Sequence, residues 1–298
     1  MNIKNDCLVC IYNQALKTAK NLNCNNKLTK KIMDDTAKLL IKYDLNVTPP
    51  FIAKDVYKKI AKRVGVKDPL QKIKEKSTKE AKKLQSFIKR KIQKSDDKLF
   101  ATVRAAIAGN VIDFGAQKQF DLKEAVEEVF EKEFGVCDYE NFKKDLDKSQ
   151  LVLYIADNTG EHIYDKILLR KLCKKYPNTE FVYITRGKPV INDVTVFEAK
   201  KAKIDKICKV INSGVDTPGL ILDRTNKKFK KLFKKCDMII AKGMGNYETM
   251  YGVIKKNVYF LFKIKCNVVA QSLNKDIGDI MLLKNKTNNH ISKKHKQK

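Results

Sequence analysis

The sequence predicts an α/β protein: a helical N-terminal part packed on a three-layer α/β/α part with a mostly parallel sheet. Three observations carry that expectation. Up to about residue 149, apolar residues recur at helical spacing. Beyond it, short apolar runs of strand length alternate with helical stretches, the texture of buried parallel strands joined by crossover helices. Between segments stand prolines that close one helix and open the next, at Pro49-Pro50 and Asp68-Pro69.

In chain order, helices are expected over residues 7–22, 28–44, 50–64, 69–93, 97–112 and 122–133. Within the second, Ile32, Met33, Thr36, Leu39, Leu40 and Tyr43 fall on one face. Strands follow at 151–156, 181–185, 206–211, 238–241 and 259–264, with helices at 160–173, 227–233 and 248–255 between most of them. The organisation is then 1–149 helical, 150–283 α/β and 284–298 a lysine-rich tail, with no internal repeat.

The 298 residues are 43% hydrophobic and 8% aromatic, enough apolar material for a sizeable core, which excludes a disordered basic chain. No apolar run approaches the roughly 18 residues of a bilayer span, and the stretch 258–264 already holds Lys263. The first residues, Met-Asn-Ile-Lys-Asn-Asp, have no apolar core of a secretory signal, so a cytoplasmic protein without a membrane partner is expected.

Sixty-three Lys and Arg against thirty-four Asp and Glu give a net charge of +29, which first suggests nucleic acid. Composition and placement argue against that partner. Only six of the basic residues are Arg, whose planar fork reads bases and phosphates. Residues 71–94, 227–235 and 284–298 together hold twenty of the excess charges, on two expected helix faces and a tail.

Eight cysteines are present, and five read as small core hydrophobes kept reduced. Cys7 and Cys10 form a C-x-x-C pair able to chelate a metal or cycle between thiol and disulfide. No second such pair exists; Cys266 or Cys24 is the nearest candidate for a third thiol.

In parallel sheets ligands bind at the carboxyl ends of strands, near the point where strand order reverses. The first strand there runs into Asp157, Asn158, Thr159, Gly160 and Glu161, hard oxygen donors suited to Mg²⁺ or Mn²⁺, although a helix N-cap uses the same residues. The next runs into Arg186, Gly187 and, further on, Asn192 and Asp193: a guanidinium for a phosphate, a carboxylate for an oxygen cage, or an ordinary capped loop. The strand at 238–241 leads to Lys242, Gly243, Met244, Gly245 and Asn246, a lysine and backbone N–H groups at a helix start that can cradle an anion. The lysine precedes the glycines, so this is no Walker A loop. In the helical part Gly109 and Asn110 interrupt an apolar helix, and Asn110 and Asp113 share its face. His162 reads as a bystander, and His290 and His295 as solvated tail residues.

Taken together, the G-N-x-x-D, D-N-x-G-E, R-G-x-P-x-x-N-D and K-G-x-G-N-x-E segments resemble the metal-dependent damage-control phosphatases, also known as domain-of-unknown-function family 89 or the ARMT-like metal-binding domain. The resemblance spans residues 5–283, and the leading C-x-x-C is similar to the prokaryotic stand-alone branch. It implies a divalent-metal phosphatase acting on small phosphorylated metabolites such as sugar phosphates, damaged or surplus ones included. Asp157, Asn158 and Asp193 would hold Mn²⁺, Co²⁺, Ni²⁺ or Mg²⁺ and carry catalysis. Lys242 with Gly243, Gly245 and Asn246 would hold the phosphate, and Asn110, Asp113, Glu161 and Arg186 would line the same pocket. Cys7, Cys10 and Cys266 remain a candidate second metal or redox site. Metal-activated water is favoured over Asp157 as nucleophile, because position 159 is Thr and the D-x-D signature of aspartyl-phosphate enzymes is missing. Two other functions stay open on the residues alone, a carboxyl methyltransferase using adenosylmethionine and a basic nucleic-acid-binding module. The oligomeric state is not fixed by the sequence.

Overall fold

A computed structural model describes residues 1–111 and 119–286. Its first three helices, α1 (Asn5–Asn21), α2 (Asn26–Leu40) and α3 (Pro49–Val64), form a small core of their own around Ile11, Ala15, Ile32, Ile52, Val56 and Ile60. Local chemistry sets their ends. The Asn25 side chain accepts the Leu28 N–H at 2.9 Å to start α2, Pro49 and Pro50 open α3, and Gly65 closes it in the left-handed region at φ +81°. The long α4 (Gln71–Lys94) buries Ser77, Ala81, Leu84, Ile88 and Ile92 on one stripe and turns most of its basic residues outward, as the charge clustering at 71–94 predicts; Lys74 is the exception, buried and paired with Asp68 at 2.8 Å. Next come α5 (Lys98–Val111) and α6 (Gln119–Glu131).

A seven-stranded sheet follows. Its strands are β1 (Phe134–Cys137), β2 (Leu151–Ile155), β3 (Glu180–Thr185), β4 (Lys209–Asn212), β5 (Met238–Lys242), β6 (Asn257–Lys263) and β7 (Ile280–Lys284). Between them lie α7 (Tyr139–Lys148), α8 (His162–Lys175), α9 (Val196–Lys201), α10 (Lys227–Lys235), α11 (Met244–Met250) and α12 (Asn267–Leu273). The spatial order is β1-β7-β6-β5-β2-β3-β4, parallel throughout except for the β6–β7 pair. Both faces are covered. Val152 and Tyr154 point into one core, and Leu153 and Ile155 into the other, which is why β2 is apolar at every position. The expected α/β class and three-layer arrangement are what the chain adopts.

Several elements differ in detail from the expectation. Edge strand β1 has four residues, contains Gly135 and is nowhere fully buried, so it leaves little apolar signal and lies before the textural change at 150. The short helices α7, α9 and α12 and the closing strand β7 were not anticipated either. The strand expected at 206 begins at Lys209, because residues 204–206 make a 3₁₀ turn. The helix expected at 248–255 runs instead over Met244–Met250, starting directly behind the glycine at 243. Among the cysteines, Cys236 is buried as a core residue, whereas Cys137 is exposed at the end of edge strand β1.

From β2 the chain proceeds to β3 and β4 on one side, then crosses back to β5 on the other. The strand order therefore reverses between β2 and β5, and the segments leaving their carboxyl ends are Asp157–Glu161 and Gly243–Asn246.

Candidate active site

The loops after β2 and β3 are zipped to each other. Val194 donates its N–H to Asp157 O at 2.8 Å, Thr159 to Asn192 O at 2.9 Å, and Asn158 pairs with Asp193 as an isolated antiparallel bridge. Backbone pairing thus brings Asp157, Asn158 and Asp193, thirty-odd residues apart, to one place. Ile191, just before the bridge, is held at φ +44°, a conformation that a β-branched residue adopts only under constraint.

Around this bridge four carboxylates and two cations are packed out of water. Arg186 donates Nε–H to Asp193 Oδ2 at 2.6 Å and Nη1–H to Asn246 Oδ1 at 3.3 Å. Its Nη2 has no hydrogen-bond partner among the described residues and stands 3.6 Å from Asp157 Oδ1. Lys242 donates to Asp165 Oδ1 at 2.7 Å and Glu161 Oε2 at 3.3 Å. Asp165 also accepts the hydroxyls of Tyr154 at 2.7 Å and Tyr183 at 2.9 Å, whose rings stack across neighbouring strands. The Asn158 amide bridges the two halves, donating Nδ2–H to Asp157 Oδ2 and Glu161 Oε1, both at 2.9 Å. Burial, then the charges of Glu161 and Asp193, push the Asp157 carboxyl well above its ordinary pKa against the pull of Arg186 and Lys265. Asp193 is raised too, by burial that outweighs Arg186. Lys242 stays charged: burial opposes this, but Asp165 and Glu161 hold its pKa above the ordinary value.

The glycines of the motifs make room for this packing. Gly243 at φ +78° lets the backbone pass directly against the Asp157 carboxylate, and Gly245 lets it pass against Pro218 O. Gly109, odd within an apolar helix, packs where a Cβ would meet Glu161 Cα and the Tyr164 ring at 3.0 Å. The helix α5 is thereby seated on the start of α8, which carries Glu161 and Asp165. The Asn110 side chain and Asp113 lie outside the described residues.

A model of the damage-control phosphatase ARMT1-like domain matches residues 3–281, almost the whole chain. The chain belongs to that family. It is 36% identical to a protein of Methanocaldococcus jannaschii, over 95% of this chain and 96% of the relative. It is 34% identical to a damage-control phosphatase of Pyrococcus horikoshii, over 96% of this chain and 99% of that one. The crystal structure of a domain-of-unknown-function 89 protein from Pyrococcus horikoshii superposes with a TM-score of 0.88 at 33% identity, covering 96% of this chain and all of the other.

In this member of the damage-control phosphatase ARMT1-like family the carboxylate cluster opens into a cavity of about 1050 Å³. Asp157, Asn158, Glu161, Asp193 and Gly245 reach its wall; Arg186, Lys242 and Asn246 do not line it and stand behind the carboxylates they bind. The cavity-lining cations are Lys263 and Lys265, at the end of β6, and Lys17 on α1. These were not singled out in the sequence because they are three lysines among many, with no motif chemistry of their own. Cys7, Cys10 and Cys266 line the same cavity. Burial raises the Cys7 and Cys266 thiols above their ordinary pKa, with the Glu248 charge adding to it, so both favour the protonated form. Among the described residues no three or more His, Cys, Asp and Glu side chains are grouped as metal ligands. The expected Asp157–Asn158–Asp193 set has only two donors of those types, its third being an amide.

His162, read as a bystander, has a structural role. It is fully buried, its Nδ1 accepts the Gly160 N–H at 3.0 Å, and it shapes the turn into α8. Burial, with the charges of Lys82 and Lys166, lowers its pKa to about 3, so it is neutral.

Proposed function

We propose that the chain is a divalent-metal-dependent phosphomonoesterase of small phosphorylated metabolites, with sugar phosphates, damaged or surplus ones included, in its substrate class. The observation that carries this reading is the crowding of carboxylates. Among the described residues, Asp157, Glu161, Asp165 and Asp193 are buried together and outnumber the buried cations that contact them, Arg186 and Lys242, and burial with this crowding holds the Asp157 and Asp193 carboxyls above their ordinary pKa even with Lys265 and Lys74 pulling the other way. Burying like charges together is costly, and a divalent cation at the cavity wall would offset that cost.

The residues present fit such an ion. The Asn158 Nδ2–H, 2.9 Å from two carboxylates, occupies the kind of position a cation takes, and a turn of that amide presents Oδ1 to the same place. Asp157, Asn158 and Asp193 would hold the metal. When bound, it supplies charge for the phosphoryl oxygens and lowers the pKa of water. The chain's own groups do the rest. Arg186 fixes Asp193 and faces Asp157, Lys242 anchors Glu161 through its other carboxylate oxygen, and the Asn246 amide ties Arg186 to the backbone of Ala156 and Lys242. A site built this rigidly stabilises developing charge without reorganising. Lys265, close enough to lower the Asp157 pKa, is placed to attract the phosphate dianion from the cavity side.

The test is phosphate release from p-nitrophenyl phosphate and sugar phosphates by chelator-treated protein, with Mn²⁺, Co²⁺, Ni²⁺ or Mg²⁺ restored one at a time. Metal-dependent release that falls by about 10³-fold in both Asp157→Ala and Asp193→Ala is expected. Full activity in both variants would sink the reading.

A further inference from the structure

The carboxylate cluster is one wall of its cavity, and the helical part supplies another of different chemistry. Pro50, Ala53 and Tyr57 of α3, with Leu70 and Ile73 at the start of α4, line the same space as Asp157, Glu161 and Asp193. Spacings of three and four residues put Pro50, Ala53 and Tyr57 on one face of α3. These five side chains are buried or half-buried and end in carbon, except Tyr57, whose hydroxyl is already paired with Thr18 Oγ1 at 3.3 Å. Ser77, a turn beyond Ile73, adds a buried hydroxyl. The charged side chains that α1 adds to the cavity, Asp6 and Lys17, are solvent-exposed and lie outside this wall. The volume of about 1050 Å³ is at the upper end of the roughly 300–1,000 Å³ typical of small-ligand sites, so a phosphate seated at the carboxylates leaves room for the rest of its ester.

Ile191 joins the two walls. It lines the cavity two residues before Asp193, packs against the core of the helical part, and is held at φ +44°. Asn or Gly adopts that conformation readily and a β-branched residue does not, so the backbone gains nothing from isoleucine there. Such strain persists where surrounding contacts offset it, and here those contacts are made by a hydrocarbon side chain beside the carboxylates. We propose that Ile191, with Ala53, Tyr57 and Ile73, forms an apolar subsite for the alcohol part of the substrate, so that the preferred substrates are phosphomonoesters carrying a hydrocarbon chain. This rests on the phosphatase reading for the reacting end, and adds to it the chemistry of the leaving alcohol. Ile191 and Ile73 are specificity residues here and take no part in bond breaking.

The test uses a homologous series. Ethyl, butyl and hexyl phosphate have leaving groups of nearly equal basicity and differ in apolar length. A buried methylene is worth about 0.8 kcal/mol, or about fourfold, so kcat/KM should rise by up to that factor per methylene, chiefly through KM. Ile191→Asn keeps a residue suited to the left-handed backbone, and Ile73→Asn alters the α4 side of the subsite; each should flatten the rise. Ile73→Asn carries the comparison alone if the strained position tolerates no change. Ile41→Asn, at an exposed position outside the cavity, should leave the rise intact. A flat or falling series in the natural chain, a rise that survives Ile73→Asn, or an equal loss in Ile41→Asn would each overturn the subsite. Calorimetric binding of the matching n-alkylphosphonates in the presence of Mn²⁺ separates the two readings. Affinity that grows with chain length and flattens in Ile73→Asn supports the subsite even if no ester is hydrolysed, a result that would overturn only the phosphatase reading. Hydrolysis indifferent to chain length would overturn only the subsite, and no binding of any phosphonate together with no hydrolysis would overturn both.

Discussion

Gly243 and Asp157 are in contact so close that no side chain fits between them: a Cβ on Gly243 would stand 1.9 Å from Asp157 Oδ2 and 2.3 Å from Cγ. Gly243 is also at φ +78°, where an L side chain is strained whatever the space. Gly243→Ala must therefore move the backbone or rotate Asp157 out of the cluster. A displacement of about 1 Å at a reacting centre costs on the order of 10²-fold in rate, so kcat for p-nitrophenyl phosphate should fall by at least that much. Gly65→Ala is the control. It has the same positive φ but nothing within 4 Å of the added carbon, and should cost about 1 kcal/mol of stability with kcat unaltered.

Asp157 is held in the folded chain against its own electrostatics. Its carboxyl pKa is pushed up by burial and by Glu161 and Asp193, so the folded state retains a proton that the unfolded state has released. The sign follows: without metal, this group lowers stability as pH rises past its ordinary value of 3.8. Asp157→Asn should raise the melting temperature of chelated protein at pH 7 while abolishing both the shift produced by Mn²⁺ and phosphate release. A lower melting temperature in the chelated variant would count against the crowding of buried carboxylates around Asp157.

How much of this was legible beforehand depends on which residues carry backbone-level signals. β2, β3, β5 and β6 are buried on both faces and read as continuous apolar runs; β1, four residues long at the sheet edge, carries no such run. Asp157, Asn158 and Asp193 were legible because they follow strand ends, and the structure joins them through the Asn158–Asp193 bridge. What spacing does not convey is direction. Lys242 and Arg186 look alike as anion binders in a sequence, yet both are turned inward and spent on carboxylates, whereas Lys265, outside those motifs, lines the cavity. Asp165 was overlooked because its importance comes from what meets it, Lys242, Tyr154 and Tyr183 from three different strands.

That convergence gives Lys242 a testable structural weight. Lys242→Met leaves Asp165 and Glu161 buried without their shared ammonium, and breaking a buried pair on one side costs about 3–5 kcal/mol. Urea unfolding should show a loss of that size. Adding Asp165→Asn to Lys242→Met removes one of the stranded charges and should recover part of it. Independent, additive losses in the double variant would show that the two groups do not act as a pair.

His162 and Glu248 give a pH dependence in which two terms oppose. For His162 the folded pKa is about 3 against 6.5 for the free group, so between these values only the unfolded state binds the proton, and stability rises with pH across that window. For Glu248 burial lifts the folded pKa from 4.5 to about 7, against the pull of the N-terminal ammonium; here the folded state keeps the proton, and stability falls as pH rises through the window. Each slope approaches about 1.4 kcal/mol per pH unit for one proton, less for Glu248 because it faces the cavity and remains partly hydrated. Between pH 4.5 and 6.5 the two largely cancel. Measured against the slope of the natural chain, to which the raised carboxyls of Asp157 and Asp193 also contribute, unfolding free energies should tilt upward with pH across this range in Glu248→Gln, which leaves the histidine without this opposing term. They should tilt downward, again relative to the natural chain, in His162→Asn, which keeps an acceptor for the Gly160 N–H but carries no proton. Parallel profiles for the three proteins would mean that neither group is buried in the protonation state its surroundings dictate.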